Sequence, residues 1–347
     1  MKKLFSLSLL ILTTVIMFAQ TTRDFYLKGL ADLENENYES AKVHFSNAIQ
    51  KDSDFFDTYI SRGIVKMKQG DFKEAINDFS TIIKRNPEHI EALFYRGNAK
   101  QNAGDFSGAI IDYSRAINFH TKDANAVSGD SIIITTYYNR GILKNKTNDF
   151  SSAVADFDKV IQEKSQDAGA FFNRGISNTH LAEYSNAIRD FTTAIKIDPE
   201  NAETYFERAK AFYLSERYDK AIVDLDKTIK MQPNHQSAYF YRGLSNSMLS
   251  NQENALHDFS KSIEINPNDA FAYLYRGIEN YRAENYDQTL KDYSRAIDIY
   301  PNFAEAYFKR GVTYDVLGKS EKAKEDLRKA KELGHPEAQN ALDVLYN

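Results

Sequence analysis

Apolar positions recur along the chain at i, i+3, i+4 and i+7, in short blocks separated by polar breaks that carry glycine or proline. That spacing is the signature of amphipathic helices. The blocks come in pairs, and the pair itself repeats. Gly29, Gly63, Gly97, Gly141, Gly175, Gly243, Gly277 and Gly311 mark it, with steps of 34, 34, 44, 34, 68, 34 and 34 residues. Ala209 stands midway across the step of 68. The chain thus holds nine repeats of 34 residues and one insertion of ten.

Other positions keep the same phase. Twelve residues after each marker stands a small residue, from Ala41 and Ala75 through Thr289 to Ala323. Sixteen after it stands a large apolar one: Phe45, Phe79, Tyr113, Phe157, Phe191, Leu225, Phe259, Tyr293 and Leu327. Four before it, every repeat except the third (Leu93) has Phe or Tyr. Gly70, Gly104 and Gly318 share a register that turns the chain between the two helices. Pro87, Pro199, Pro233, Pro267 and Pro301 share another, after the second helix, because proline removes a donor and restricts the residue before it. A marker glycine inside the first helix costs ~1 kcal/mol against alanine. That cost is explained if the second helix crosses there, with the small residue twelve positions on as the opposing surface.

The aromatic, Gly243, Ala255, Phe259 and Pro267 pattern of residues 239–267 resembles the tetratricopeptide repeat family, and the resemblance covers residues 22–337. It implies an all-α fold, a right-handed superhelical α-solenoid of antiparallel helix pairs with a concave inner face. The domain reading is repeats one to three over 22–123, an inserted loop over 124–133, repeats four to nine over 134–337 and a capping helix over 338–347. Ile132, Ile133 and Ile134 extend the helix after the loop. The loop reads as a tolerated surface insertion or as a hinge or partner contact.

In the family the first helices line the concave surface. The resemblance therefore places on that surface Tyr138, Ile142, Phe172, Ile176, Phe206, Lys210, Phe240, Leu244 and Leu274, a stripe whose alternative is burial between helices. An apolar groove of this kind suits another protein, as an extended peptide or a helix. A second reading is an envelope glycan held by the same aromatic faces with Asn139, Asn173 and Asn178. Some family members clamp acidic C-termini with Lys and Asn. The matching early positions here are aromatic or aliphatic, so that activity does not carry over.

Arginine precedes the marker in repeats two to nine (Arg62, Arg96, Arg140, Arg174, Arg208, Arg242, Arg276, Arg310). Aspartate follows the marker by fifteen in the same repeats: Asp78, Asp112, Asp156, Asp190, Asp224, Asp258, Asp292, Asp326. Repeat one carries Lys28 and His44 instead. Matched cations and carboxylates predict a ladder of partly buried pairs. The rival reading is a row of arginines for anions.

Composition narrows the chemistry. The net charge is −5 with no basic run, which argues against nucleic acid. The absence of cysteine excludes disulfides, thiol catalysis and Cys-ligated zinc. The seven histidines form no HExxH pair and there is no G-x-S-x-G elbow. Gly318-Lys319-Ser320 resembles the end of a phosphate loop, but Thr313 stands where that loop needs glycine. No catalytic, metal or cofactor site is expected, and the chain reads as a non-enzymatic interaction scaffold.

The first nineteen residues read as an export signal. Lys2 and Lys3 precede an uncharged, mostly apolar stretch from Leu4 to Phe18, with cleavage expected between Ala19 and Gln20. As a helix those fifteen residues span ~22 Å, short of the ~30 Å needed for an uncleaved anchor. The expectation is a periplasmic or secreted protein of a bacterial cell envelope, with no stable membrane insertion after cleavage.

Overall fold

The structure is a computed structural model that describes residues 21–122 and 130–346. The expected leader and the centre of the insertion lie outside them. All regular structure among the described residues is α-helical, and none of these helices is long and apolar enough to cross a membrane. The chain divides into two compact units, one up to Ser177 and one from Asn178 onward.

The first unit contains α1 (21–34), α2 (Tyr38–Lys51), α3 (Phe56–Lys68), α4 (Phe72–Arg85), α5 (Ile90–Asn102), α6 (Phe106–Lys122), α7 (Ser131–Lys146), α8 (Phe150–Glu163) and most of α9 (Ala168–His180). The second contains α10 (Tyr184–Ile197), α11 (Ala202–Leu214), α12 (Tyr218–Met231), α13 (Gln236–Met248), α14 (Gln252–Ile265), α15 (Ala270–Arg282), α16 (Tyr286–Ile299), α17 (Ala304–Val316), α18 (Ser320–Glu332) and α19 (Ala338–Tyr346). Odd-numbered helices up to α17 open the repeats, the following even-numbered ones close them, and α19 packs on α18. First helices also touch the first helices of neighbouring repeats, as α3 does α5 and α13 does α15. Each unit is therefore a stack of helix pairs, the solenoid architecture implied by the repeat.

The helix after the insertion begins at Ser131, so Ile132, Ile133 and Ile134 extend it as expected, and 131–133 belong to that helix and not to the loop of 124–133. Asp130 caps that helix by accepting the Ile132 amide. The helix before it runs on to Lys122, three residues beyond its counterparts. Part of the added chain is thus used to lengthen both flanking helices.

One contact sets the closeness of each pair. A Cβ on Gly63 would lie 2.5 Å from the Phe79 ring, on Gly97 2.5 Å from Tyr113, and on Gly243 2.8 Å from Phe259. The ring sixteen residues on, and not the small residue at twelve, is the surface pressed on the glycine. The alanines at twelve are fully buried alongside. Where the partner is leucine the constraint relaxes. In repeat six the marker is Ala209 and the residue sixteen on is Leu225, both in one buried cluster, and a Cβ on Gly311 would stand 3.0 Å from Leu327.

The turn between paired helices puts one residue per repeat at positive φ, seven after the marker. Gly70, Gly104 and Gly318 occupy it without strain. Glu36, Asn148, Ala182, Glu216, Ser250 and Glu284 hold it with φ of 59–62°. A left-handed non-glycine residue costs roughly 1–2 kcal/mol. After most second helices the backbone turns extended, as at Asn86 (φ −129°) and Asp198 (φ −128°), the conformation that a following proline favours, and Asp52 and Lys164 adopt it before serine.

Two substitutions test these points by thermal denaturation. Gly243→Ala should cost about 1–3 kcal/mol through the displaced Phe259 ring. Gly311→Ala should be near neutral, because the gain in helix propensity offsets a milder clash. Equal losses at both sites would sink the ring-on-glycine account. Ala182→Gly should raise stability by up to ~1 kcal/mol, since glycine carries no left-handed penalty.

Candidate functional site

The arginines are the first candidates, and geometry assigns them a structural role. Arg62, Arg96, Arg140, Arg208, Arg242, Arg276 and Arg310 each donate twice to the aspartate of their own repeat, at 2.6–3.0 Å. A further nitrogen reaches back to the second helix of the preceding repeat. Its acceptors are Ser46, Ser80, Ser114, Thr192, Asp226, Ser260 and Ser294. Arg174 makes the same backward bond, 2.6 Å to Asp158. In seven repeats the guanidinium also lies over the ring three residues before it, as Arg242 does over Tyr239 at 5.5 Å. Each arginine therefore joins three helices. Burial works against the charge on Arg242, but Asp258 and Asp226 outweigh it and hold the guanidinium more firmly protonated. Little donor capacity is left for a row of anions.

The aspartates take a third donor. It is Lys66, Lys100 or Lys144 in repeats two to four, and Asn178, Asn246 or Asn280 in repeats five, seven and eight. Repeat one inverts the arrangement. There the carboxylate is Asp32 on the first helix, bonded to His44 at 2.7 Å and Ser40 at 2.6 Å, and these bonds hold it below the usual carboxylate range.

The expected groove residues fall into two sets. In the first unit Tyr138, Ile142, Phe172 and Ile176 are half-buried. The Tyr138 ring packs on Phe157, and its hydroxyl accepts from Asn173. In the second unit Phe206, Leu244 and Leu274 are buried, while Lys210 and Phe240 are half-buried. The stripe is therefore mostly a seam between successive first helices and offers little free surface. Phe206 lies under His235, with ring centres 4.6 Å apart, and against Tyr241. Lys210 is held by Glu207 at 2.8 Å. The asparagines of the glycan reading are also engaged. Asn139 donates to Asn98, Asn173 to the Gly169 carbonyl and Asn178 to Asp190.

The first-helix faces of the two units differ in chemistry. In the first unit the face closes on itself. The Tyr113 hydroxyl lies 2.6 Å from Asn98 and 3.0 Å from Gln101, and Asn145 bonds the Asn173 carbonyl and Ser177. In the second unit the register two before the marker carries Tyr241 and Tyr275. Tyr213 stands against Tyr241 at 5.6 Å, and Phe240 bridges Tyr241 and Tyr275. These rings are half-buried, and burial raises the Tyr213 and Tyr275 hydroxyls above their usual range. Beside them Leu214, Met248 and Val316, five after the marker, are 43%, 56% and 50% exposed. Sequence reasoning passed over these two registers. An alignment of the repeats on their markers shows tyrosine two before the marker in repeats three (Tyr95), seven and eight, and aliphatic residues five after it in repeats six, seven and nine. A pocket of about 290 Å³ also opens on this side of the second unit, lined by Ile278, Tyr281, Arg282, Tyr293, Phe308, Lys309 and Val312.

Three family models, each described as a tetratricopeptide or TPR repeat, match the chain over residues 60–126 and 206–270, 182–215 and 279–318, and 304–333. Together they span more than half of its length. The chain belongs to the tetratricopeptide repeat family. Among solved structures, the C-terminal part of a TPR repeat-containing protein from Cytophaga hutchinsonii matches with a TM-score of 0.57 at 15% identity, over 72% of this chain and 98% of that one. A tetratricopeptide repeat protein from Parabacteroides merdae gives 0.51 at 19% identity, over 75% and 99%. YrrB, described as a TPR protein with an unusual peptide-binding site, gives 0.47 at 24% identity, over 54% and 97%. The first two likenesses establish the fold. Nothing matches this tetratricopeptide repeat protein among curated proteins.

Asp224→Ala removes the bidentate partner of Arg208, whose side chain is only 17% exposed. The expected loss is about 3 kcal/mol, since an unpaired, mostly buried charge remains. Asp158→Ala, at a carboxylate that is 54% exposed, should cost under ~1 kcal/mol. Urea denaturation of both variants decides the matter, and an Asp224 variant as stable as the parent would remove the ladder from the account.

Proposed function

We propose that this chain is a non-enzymatic scaffold that docks another protein, as an extended segment or a helix, on the first-helix face of its second unit. The observation that carries the reading is the contrast between the two faces. Polar side chains of the first unit bond one another. The second unit presents half-buried tyrosines beside exposed Leu214, Met248 and Val316. Tyrosine offers large contact area with a polar tip at low entropic cost, and aliphatic side chains beside it give a partner something to cover. Repeat arrays hold such faces ready in advance, which limits the ordering cost of binding. We place this activity outside the cytoplasm, in the periplasm or the cell envelope, on the strength of the basic and apolar residues 1–19.

The docking reading is tested by capture from a native envelope extract. The baits are the parent protein, Tyr241→Ala/Tyr275→Ala and Leu214→Glu/Met248→Glu, each confirmed folded by circular dichroism. A protein retained by the parent and lost with either variant supports the reading. Equal retention by all three refutes it. The address is tested separately, by fractionating cells that express the tagged protein and sequencing its N-terminus. A mature protein beginning at Gln20 in the periplasmic fraction is expected, whereas an intact Met1 in the cytoplasm would overturn the export reading.

A further inference from the structure

Four successive repeats cap their first helices from the same place, eight before the marker, with Asp167, Asn201, His235 and Asp269. Asp167 accepts the Ala170 amide, Asn201 the Thr204 amide, and Asp269 the Phe271 and Ala272 amides. His235 does the same with a ring nitrogen, its Nδ1 lying 3.1 Å from the Ala238 amide. His335 repeats the device ahead of α19, with Nδ1 3.2 Å from the Glu337 amide. A backbone N–H can only donate, so each Nδ1 has to be an unprotonated acceptor. The proton of the neutral ring is then on Nε2, which faces a carboxylate on the first helix before. His335 Nε2 lies 2.9 Å from Glu305, and His235 Nε2 3.6 Å from Glu203. Both carboxylates stand six before their markers.

An imidazole is the one cap of this set that changes charge between pH 8 and 5. A proton added at Nδ1 would set N–H against N–H and remove the cap. The surroundings oppose that proton in three ways. The two side chains are only 14% and 7% exposed, and burial penalises charge. Each ring sits at a helix N-terminus, which carries partial positive charge. Each also packs on a phenylalanine that already holds a lysine. His235 lies 4.6 Å from Phe206, with Lys210 5.5 Å over that ring, and His335 is stacked 4.0 Å from Phe308, with Lys309 at 5.7 Å. Glu203 and Glu305 pull the other way, but they are 51% and 41% exposed, so water screens them. Glu207 is taken up by Lys210, and the Glu337 side chain is exposed. The contact with His235 holds the Glu203 carboxyl below its usual range, so it stays ionised throughout.

We propose that His235 and His335 are proton-sensitive pins between successive helices of the second unit, holding the starts of α13 and α19 at neutral pH and releasing them as the medium turns mildly acidic. The sign follows from the cap. The unfolded chain makes no demand on Nδ1, so it takes up protons more readily as pH falls through the ordinary histidine range, about 6.5. The stability supplied by the pins is complete above that range and lost below it. The aspartate and asparagine caps of the neighbouring repeats carry no such dependence there.

Hydrogen exchange of the full-length protein, read by mass spectrometry and corrected for the pH dependence of free amides, tests the pins. Segments 236–242 and 337–343 should lose protection about fivefold between pH 7.5 and 5.5, the worth of one cap. Segment 270–276, capped by Asp269, is the control within the same molecule and should not change. In His235→Asn/His335→Asn all three segments should hold, since asparagine caps the same register in repeat six without titrating. Protection that is unchanged in the parent, or that falls equally in the control segment or in the double variant, would overturn the proposal. Ring nitrogen chemical shifts at pH 7.5 give a second reading. The Nε2–H tautomer is expected at both histidines, and an Nδ1–H tautomer would rule the cap out.

Discussion

The structure depends on how closely two short helices can approach. In most repeats a ring from the second helix lies where the Cβ of the first-helix marker would be, so glycine is required there by contact and not by backbone conformation. From that one close approach the remaining positions follow. The small residues at twelve fill the gap beside the ring, and the ring's far edge is left to meet the face of the first helix.

A second device fixes neighbours relative to one another. Apolar seams tolerate sliding, because dispersion and burial have little directionality. A bidentate guanidinium does not. Each arginine bonds the aspartate of its own repeat and a hydroxyl or carboxylate of the repeat before, so it sets both the pairing within a repeat and the step between repeats. The net contribution of such buried pairs to stability is modest. Their contribution to a single geometry is larger, and a preformed binding face needs that.

The helix pairs, the turns and the arginine–aspartate pairing were legible in the sequence, since they are properties of one repeat read nine times. The groove was less so. The residue after the core aromatic and the one four further on were read as facing outward, yet Phe206 and Leu274 of the first register and Leu244 of the second are buried, and over Phe206 lies His235, the cap of the next repeat's first helix. That burial depends on the angle between repeats, which no single repeat encodes. The backward acceptors, such as Ser46 and Thr192, escaped for the same reason.

The backward bond also gives the array a rule of growth. Any interior repeat brings an arginine and offers Ser, Thr or Asp to the arginine that follows, so duplicating one would leave every junction satisfied. The two ends differ. Repeat one has Lys28 where the arginine would be, with its carboxylate moved to Asp32. Repeat nine has Arg328 at the place of the acceptor, where another arginine-bearing repeat would set cation against cation. Lengthening by internal copying is thus chemically open to this protein, whereas an arginine-bearing repeat set directly after repeat nine would meet Arg328.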